Sequence, residues 1–306
     1  MKHPLQQALD DYLALRRSLG FKLHKEGRQL PQFLVFLQKN RAAYITARLA
    51  LDWIMQSAGR GRTQRLRMVR GFARYITAFD SRTEVPPSDL VPARCIRPRP
   101  YIYSDNEVHR LMEEARKYPR DKPRGTYYCL LGLLAVSGLR VGEAIRLRME
   151  DVDLVNAVLT IRNTKFGKSR LVPLHPTTVN ELGSYKQRRD ALLASQSSAY
   201  FFISRKGTPL IHTSIYRVFN GLSVKVGIRK ARRGGGPRLH DLRHRFAVST
   251  LIDWYRAGAD VEHQLPTLAT FLGHVSVECT YWYLNEYPEL MQLAASKLNN
   301  RWEGKA

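Results

Sequence analysis

Hydrophobic side chains recur at helical spacing through the first eighty residues of the chain. In residues 30–40 the apolar positions lie three and four apart, and in residues 62–79 they form one stripe: Leu66, Val69, Phe72, Ala73 and Ile76. This spacing places side chains on one face of an α-helix. The opposite face of the second helix carries three arginines without an interleaved acid: Arg67, Arg70 and Arg74. Residues 1–85 therefore predict a helical domain with a basic surface.

Five prolines interrupt the helical pattern between residues 81 and 100. Because proline blocks helix and favours extended chain, residues 86–101 predict a linker between two domains. The second domain, residues 102–306, opens with Ser104 and Glu107 in the spacing of a helical capping box.

Within this second domain, the spacing of apolar residues changes from that of a helix to that of a β-strand. An apolar helix is predicted over residues 127–140, ending at Gly138, and a second helix over residues 142–152. Residues 157–163 and 169–174 alternate between apolar and polar side chains, which predicts a β-hairpin. The rest of the chain is predicted to be helical. The expected fold class is mainly α with a small antiparallel β-sheet, in two domains.

The net charge of the chain indicates what kind of molecule it binds. The chain of 306 residues has a net charge of +24. Residues 1–80 hold 15 Lys and Arg against 5 Asp and Glu, a net of +10, which leaves +14 for the remainder. Because both parts carry the charge, a long polyanion is the expected partner, with counterion release favouring binding. No apolar run is long enough for a membrane span.

The termini and cysteines predict an intracellular protein. Acidic residues interrupt the apolar positions of the first twenty residues, so no signal peptide is expected. Three widely separated cysteines, Cys95, Cys129 and Cys279, predict reduced thiols in the cytoplasm.

Arg140 is the first candidate for chemistry, since it follows the glycine that ends a buried apolar helix. An arginine there is costly unless it is paired or binds an anion. Glu143, three residues later, is the expected partner. A structural ion pair and an anion site both remain open from these residues alone.

Residues 238–246, RLHDLRHRF, place His240, Arg243 and His244 on one face of a predicted helix. The two histidines have a spacing found in zinc sites, but Asp241 stands where a metalloprotease needs glutamate, so no metal is expected. An imidazole beside a guanidinium predicts a phosphate site, in which arginine binds oxygens and histidine moves a proton.

The motifs SGLRVGE, TKFGKSRLVP, HDLRH and LGH occur in this order, and a tyrosine follows nine residues after the last histidine. This arrangement resembles the tyrosine recombinase (phage integrase) family. The resemblance covers about residues 101–295 by motif and, more loosely, the helical N-terminal domain as a core-binding domain. The ending, LPTLATFLGHVSVECTYWYLNEYPEL, is also similar to integrases of mobile elements.

The resemblance implies a role for each matched residue. The catalytic set would be Arg140, Lys165, His240, Arg243, His274 and Tyr283, with Glu143 and His244 in support. Tyr283 matches the nucleophile because it stands nine residues after His274. Tyr281 falls two residues short and Tyr287 four too far; Tyr281 and Trp282 are expected to pack.

Two positions near these motifs remain open. Lys168 is a close rival of Lys165, which matches the family lysine before the glycine of the turn. Arg245 departs from the small residue that many members carry after the HxLRH histidine, and its effect is open.

The family chemistry implied is attack of Tyr283 on a DNA phosphodiester, giving a 3′-phosphotyrosyl link and a free 5′-hydroxyl. Two arginines would stabilise the transition state, Lys165 would protonate the leaving oxygen, and His240 would accept the tyrosine proton. His274 would hydrogen-bond the phosphate. Neither metal nor nucleotide cofactor is expected.

The implied partners are double-stranded DNA and further copies of the chain, a dimer on each site and a tetramer in synapsis. Accessory recombinases are possible partners, membranes are not, and the expected location is the bacterial nucleoid in the cytoplasm. The amphipathic tail, residues 288–302, packs either on its own chain or on a neighbouring protomer. The alternatives are a type IB topoisomerase-like enzyme, which would rejoin the same strand, and a non-catalytic DNA-binding regulator.

Overall fold

In a computed structural model of the chain, the described residues are 4–58, 60–91, 100–119, 125–162, 169–193, 198–230, 236–302 and 304. The chain divides into two compact units, Met1–Pro98 and Arg99–Ala306. The predicted fold class, mainly α with a small antiparallel sheet, is confirmed.

Among the described residues of the N-terminal unit, four helices surround one apolar core. They are α1 (Pro4–Ser18), α2 (Glu26–Lys39), α3 (Ala47–Met55) and α4 (Arg60–Ile76). The predicted stripe of α4 is buried, with Val69, Phe72 and Ala73 fully inaccessible to solvent. α4 therefore presents its apolar face to the core, while Arg67 and Arg74 are exposed on the other side.

The C-terminal unit contains nine helices among its described residues. They are α5 (Asp105–Arg116), α6 (Thr126–Ser137), α7 (Val141–Ala144), α8 (Pro176–Leu193), α9 (His212–Lys225), α10 (Asp241–Arg256), α11 (Val261–Leu272), α12 (Glu278–Glu286) and α13 (Pro288–Trp302). The predicted capping box is present at α5, where Ser104 and Glu107 bond reciprocally.

The small sheet has the strand order β1–β2–β3 and is antiparallel throughout. Its strands are β1 (Val152–Asp153), β2 (Val158–Ile161) and β3 (Arg170–Pro173). The predicted hairpin is β2 and β3, with Ile161 opposite Arg170 at the end next to the turn.

The helix predicted over residues 142–152 is wrong. α7 has four residues, and a 3₁₀ turn at Met149–Asp151 leads into β1. The reason is tertiary: residues 147–149 hydrogen-bond to a distant segment, through Phe201 N to the Leu147 carbonyl and Met149 N to the Ala199 carbonyl. Backbone groups used in this way cannot continue a helix.

Gly138 ends α6 in the left-handed conformation, at φ 58°. A Cβ atom at this position would lie 2.6 Å from the Phe246 ring and 2.9 Å from Leu272. Glycine is therefore required both for the turn and for the close approach of α10 and α11. This tight packing fixes the direction in which the chain leaves α6, immediately before Arg140.

The C-terminal tail begins by packing in cis. Leu290 is fully buried in the cluster formed by α10, α11 and α12, and Arg256 bonds to Glu289 at 2.8 Å. Further along α13, Leu293 and Ala294 are half-buried and Leu298 is 46% exposed. Within the described residues, no helix is long and apolar enough to cross a membrane.

Candidate active site

Three arginines from separate elements converge on the C-terminal end of α11. The last carbonyls of a helix lack partners within the helix and carry partial negative charge, which favours guanidinium groups. Here the carbonyls of residues 271–273 each accept from a different arginine. The bonds are Arg170 Nε to Phe271 O (2.8 Å), Arg243 Nη2 to Leu272 O (2.7 Å) and Arg140 Nη2 to Gly273 O (2.9 Å).

The expected ion pair between Arg140 and Glu143 is present. Arg140 Nη1 donates to Glu143 Oε1 at 2.8 Å, and the Arg140 backbone N–H donates to Oε2 at 3.1 Å. The Arg140 side chain remains 34% exposed, whereas that of Glu143 is 3% exposed. Buried Glu143 therefore fixes the Arg140 guanidinium and leaves part of it exposed to solvent, where an anion can bind.

Glu143 has a second partner that the motifs did not reveal, Arg170 at the start of β3. Arg170 Nη2 donates to Oε2 at 2.8 Å and Nη1 to Oε1 at 3.3 Å, with its side chain 8% exposed. Burial alone would raise the pKa of Glu143, but the hydrogen bonds and charges of Arg170 and Arg140 outweigh it and lower the pKa. Strand alternation was the available signal, because it places Arg170 on the same face as buried Val172.

Arg243 is almost completely enclosed, at 3% exposure. Its Nη1 donates to the Gly138 carbonyl at 2.8 Å, which adds a contact with the end of α6 to the one with α11. Burial, and then the charge of Arg140, lowers the pKa of Arg243 to about 10. The side chain therefore stays charged at neutral pH while two backbone carbonyls hold its plane.

The two histidines of the HDLRH motif lie together at the start of α10. Their rings meet edge to face, with the centroids of His240 and His244 separated by 4.9 Å. Burial, and then the charge of Arg243, lowers the pKa of His240 to about 4. His240 is therefore neutral at physiological pH, as an acceptor or carrier of protons must be. Asp241 is buried and bonds to Arg238, which anchors the segment that precedes the helix.

Tyr283 is 2% exposed, and its hydroxyl lies 3.1 Å from Nδ1 of His244. The resemblance implied His240 as the group next to this hydroxyl; the structure places Nδ1 of His244 there instead. Tyr281 is 44% exposed, so the packing position expected for it is wrong. Trp282 packs as expected, half-buried against the rings of Tyr283 and His244.

His274 follows the αL residue Gly273 and stacks on Tyr283. The two ring planes are inclined by 21°, with centroids 6.3 Å apart, and Nδ1 of His274 lies 2.7 Å from Thr280 Oγ1. Burial, and then the charges of Arg243 and Arg140, lowers the pKa of His274 to about 3. The α11 end thus carries both the arginine contacts and a neutral histidine beside the tyrosine.

Lys165 and its rival Lys168 lie outside the described residues, in the segment of the sequence between β2 and β3. The strands on both sides are described, and β3 begins with Arg170. Along the chain, Lys165 is therefore five residues before Arg170, one of the three arginines that bond to the end of α11.

Arg245 points away from the histidines of its own helix turn. Its Nε donates to the Tyr103 carbonyl at 3.1 Å and it forms an ion pair with Asp105. Arg245 thus connects α10 to the start of α5. This connection needs a long basic side chain at position 245.

The N-terminal arginines are not equivalent. Arg67 and Arg74 are exposed on α4, whereas Arg70 is half-buried and donates to the carbonyl of Pro86 in the same unit. No group of three or more His, Cys, Asp or Glu side chains able to hold a metal occurs in the part of the chain that the structure describes.

Comparison with known proteins gives one consistent result. The sequence model of the phage integrase family matches residues 102–289. "Putative integrase/recombinase y4rB" of Sinorhizobium fredii is 48% identical over 98% of both chains. A tyrosine recombinase, XerC of Chlamydia caviae, is 29% identical over 78% of this chain and 72% of its own.

Solved structures share the fold. The integrase of transposon Tn1549, in complex with transposon right-end DNA, covers 95% of this chain and 99% of its own, with a TM-score of 0.63 and 17% identity. The lambda integrase tetramer bound to a Holliday junction covers 89% of this chain and 77% of its own, with a TM-score of 0.58 and 20% identity.

Proposed function

Since this chain belongs to the phage integrase family, we propose that it is a site-specific tyrosine recombinase whose nucleophile is Tyr283. The observation that carries the assignment is the contact of the Tyr283 hydroxyl with Nδ1 of His244, together with the stacking of the Tyr283 ring on that of His274. Arg243 is close enough to Tyr283 for its charge to stabilise the oxygen of that residue as its proton leaves. Of the three tyrosines in this segment, Tyr283 is the one that the spacing selects, and its hydroxyl is bonded to a histidine of the HDLRH motif.

In the cleavage step, the Tyr283 oxygen attacks the phosphorus of a DNA phosphodiester and its proton passes to Nδ1 of His244. The bond from phosphorus to the 5′ oxygen breaks, and that oxygen takes a proton from Lys165. A 3′-phosphotyrosyl link and a 5′-hydroxyl result. Attack by the 5′-hydroxyl of another duplex reverses the step and joins exchanged strands, so the broken bond's energy is kept.

The arginines supply the charge that this step requires. A guanidinium binds phosphate oxygens in a bidentate manner and stays ionised throughout the reaction. Arg140 and Arg243 are held by carbonyls and by Glu143, so they need little reorganisation when negative charge develops. His274, neutral and next to Tyr283, serves as a hydrogen-bond donor to the same phosphate. His240 supports His244, with which it shares an edge-to-face contact.

We further propose double-stranded DNA as the substrate, bound by residues 1–85 as core-binding domain and residues 102–306 as catalytic domain, with residues 86–101 as linker. The net charge of +24 supports a polyanionic partner. The described units, which divide at residue 98, support a two-domain arrangement. Dimers on each site and a tetramer in synapsis are proposed by analogy with the lambda integrase tetramer. We place the protein at the bacterial nucleoid, with accessory recombinases as optional partners.

Covalent trapping tests the assignment. A suicide duplex, nicked next to the cleavage point, lets the cleaved fragment diffuse away and accumulates the protein–DNA adduct. DNA from the flanks of the protein's own gene provides the site. Tyr283→Phe should form no SDS-resistant adduct. Tyr281→Phe, two residues away and exposed, is the matched control and should keep wild-type adduct levels.

The alternatives have distinct outcomes. An adduct formed by Tyr283→Phe would show that another residue is the nucleophile. A DNA-binding regulator would form no adduct with any variant or with the wild-type chain. A topoisomerase-like enzyme would form the adduct but rejoin only the same strand, which two duplexes with different labels reveal on a gel. The comparisons favour neither alternative.

A further inference from the structure

Arg170 occupies a central position in the cluster, although it was not among the residues matched to the family chemistry. Its guanidinium uses three nitrogens: Nε bonds to the Phe271 carbonyl, and Nη1 and Nη2 bond to the two oxygens of Glu143. The side chain is 8% exposed, against 34% for Arg140. Arg170 therefore contacts Glu143 from the buried side, and Arg140 contacts it from the side that is open to solvent.

A buried guanidinium is stable only when its N–H donors have acceptors. The acceptors around Arg170 therefore fix the position of its side chain. The planar fork fits a carboxylate in one orientation. Glu143 is thus held in place by Arg170, and Arg140 takes its own direction from Glu143. Through Nε, the same arginine also fixes the start of the 271–273 segment, on which Arg243 and Arg140 depend.

Gly273 provides independent support for this contact. It adopts φ 66°, and a Cβ atom there would lie 2.7 Å from Nη1 and 2.9 Å from Cζ of Arg170. The guanidinium is therefore packed directly against the backbone just before His274. Any side chain at position 273 would displace either the turn or the arginine.

We propose that Arg170 is a positioning residue for strand cleavage, which aligns Arg140 through Glu143 and the His274 turn through the Phe271 carbonyl. This inference rests on the proposed function. Arg170 does not touch the substrate; it acts by holding two groups that do. Misplacement of such groups by about 1 Å costs on the order of a hundredfold in rate.

The first experiment compares Arg170→Ala and Arg170→Lys with Arg189→Ala. Arg189 is a matched control: its side chain is 4% exposed, it pairs with Asp190, and it donates to the carbonyls of Ser198 and Tyr200. It lies on α8, and none of these contacts involves the arginine–histidine cluster. Melting temperature, DNA affinity and single-turnover cleavage at saturating DNA are measured for all three variants.

Arg170→Ala should retain its fold, because Glu143 keeps Arg140 as a partner. We expect its cleavage rate to fall on the order of a hundredfold while DNA affinity stays within about threefold of wild type. Arg170→Lys should recover part of the rate, since it restores the charge but not the three-point contact. Millimolar guanidinium ion should raise the rate of the alanine variant by filling the vacated space. Arg189→Ala should cleave at the wild-type rate at a temperature where it is folded.

A substrate with sulfur in place of the 5′ bridging oxygen then shows which part of the site Arg170 serves. A sulfur leaving group needs no protonation, so Lys165→Ala should recover its rate on this substrate. Arg170→Ala should remain slow, because the stabilisation of the phosphate by Arg140 is still impaired.

Two results would overturn the proposal. Recovery of Arg170→Ala on the sulfur substrate would mean that the arginine serves the leaving group instead. A rate equal to that of Arg189→Ala would mean that Arg170 has only a structural role. If the wild-type chain forms no adduct, or Tyr283→Phe does form one, the proposed function itself has failed.

Discussion

The Tyr283 hydroxyl lies 3.1 Å from Nδ1 of His244, although the two residues are 39 positions apart in the chain. The contact joins α12 to α10 inside a cluster that leaves Tyr283 2% exposed. A buried phenol next to an imidazole can transfer its proton without water. The second histidine of the HDLRH motif thus occupies the place next to Tyr283 that the motif resemblance had implied for the first.

Replacement of His244 should expose this role. His244→Ala is expected to lower single-turnover cleavage by about 10² to 10⁴ at neutral pH, the range for loss of a general base. The deficit should shrink as pH rises, because hydroxide then takes the proton. His263→Ala, at an exposed position on α11, is the control and should leave the rate and its pH profile unchanged. A His244→Ala rate within about twofold of wild type would assign the proton to another group.

The two other histidines of the site should make the folded chain sensitive to acid. Burial, with the charge of Arg243, lowers the pKa of His274 to about 3, below the value of about 6.5 expected in the unfolded chain. The unfolded state therefore binds more protons below pH 6.5, and stability falls as pH decreases from about 6.5 toward 3. Urea unfolding at pH 7 and pH 5 measures the loss.

His274→Gln provides the comparison for this pH effect. The variant lacks the titrating ring, so its stability should fall less between pH 7 and pH 5 than that of the wild-type chain. Equal losses would show that His274 is not buried and neutral in solution. Binding of DNA should raise the pKa of both His240 and His274, because phosphate charge opposes that of the arginines; NMR titration of the ring protons detects the change.

Exposed Arg67 and Arg74 of α4, and to a lesser extent half-buried Arg70, should contribute to DNA affinity in a salt-dependent manner. Replacing Arg67, Arg70 and Arg74 with alanine should weaken binding to specific and unrelated DNA alike. It should lower the log–log salt slope by about two to three, at roughly 0.9 for each phosphate that is no longer neutralised. Arg70, which bonds to the Pro86 carbonyl, should contribute least.

A control for the α4 surface is available in the same unit. Arg82 is 64% exposed but already paired with Asp80 at 2.9 Å, so Arg82→Ala should change the slope less than Arg67→Ala. Binding is measured over a range of salt concentrations for each variant. If the triple variant keeps the wild-type slope, the arginine face of α4 is only solvated and the DNA surface lies elsewhere.

Cleavage and rejoining should proceed in EDTA and without a nucleotide. The charge on the phosphate is to be balanced by Arg140 and Arg243, and the covalent link conserves the energy of the broken bond. Single-turnover cleavage with and without chelator is the measurement. Activity that EDTA abolishes and a divalent ion restores would contradict the proposed mechanism.

Local elements and the order of the motifs follow from the chain alone. Gly138 marked the end of α6 because only glycine adopts the left-handed turn there without strain. The alternating residues around the TKFGK turn predicted β2 and β3 because the side-chain period of a strand is two. The order of the motifs from SGLRVGE to LGH, with a tyrosine nine residues after His274, identified the family, which the comparisons confirm. These features depend on neighbours along the chain, and so they can be read without the fold.

Which side chains meet depends on how the elements pack. The helix expected over residues 142–152 was replaced by a short α7 and a strand, because backbone groups there bond to residues 199–201. Arg170 belongs to the site, and Arg245 instead bonds to the segment before α5, through contacts with residues about 100 or more positions away. His244, rather than His240, met Tyr283 because the fold brings that turn of α10 next to Tyr283 of α12. Such contacts depend on the arrangement of whole elements, which no local pattern of residues contains.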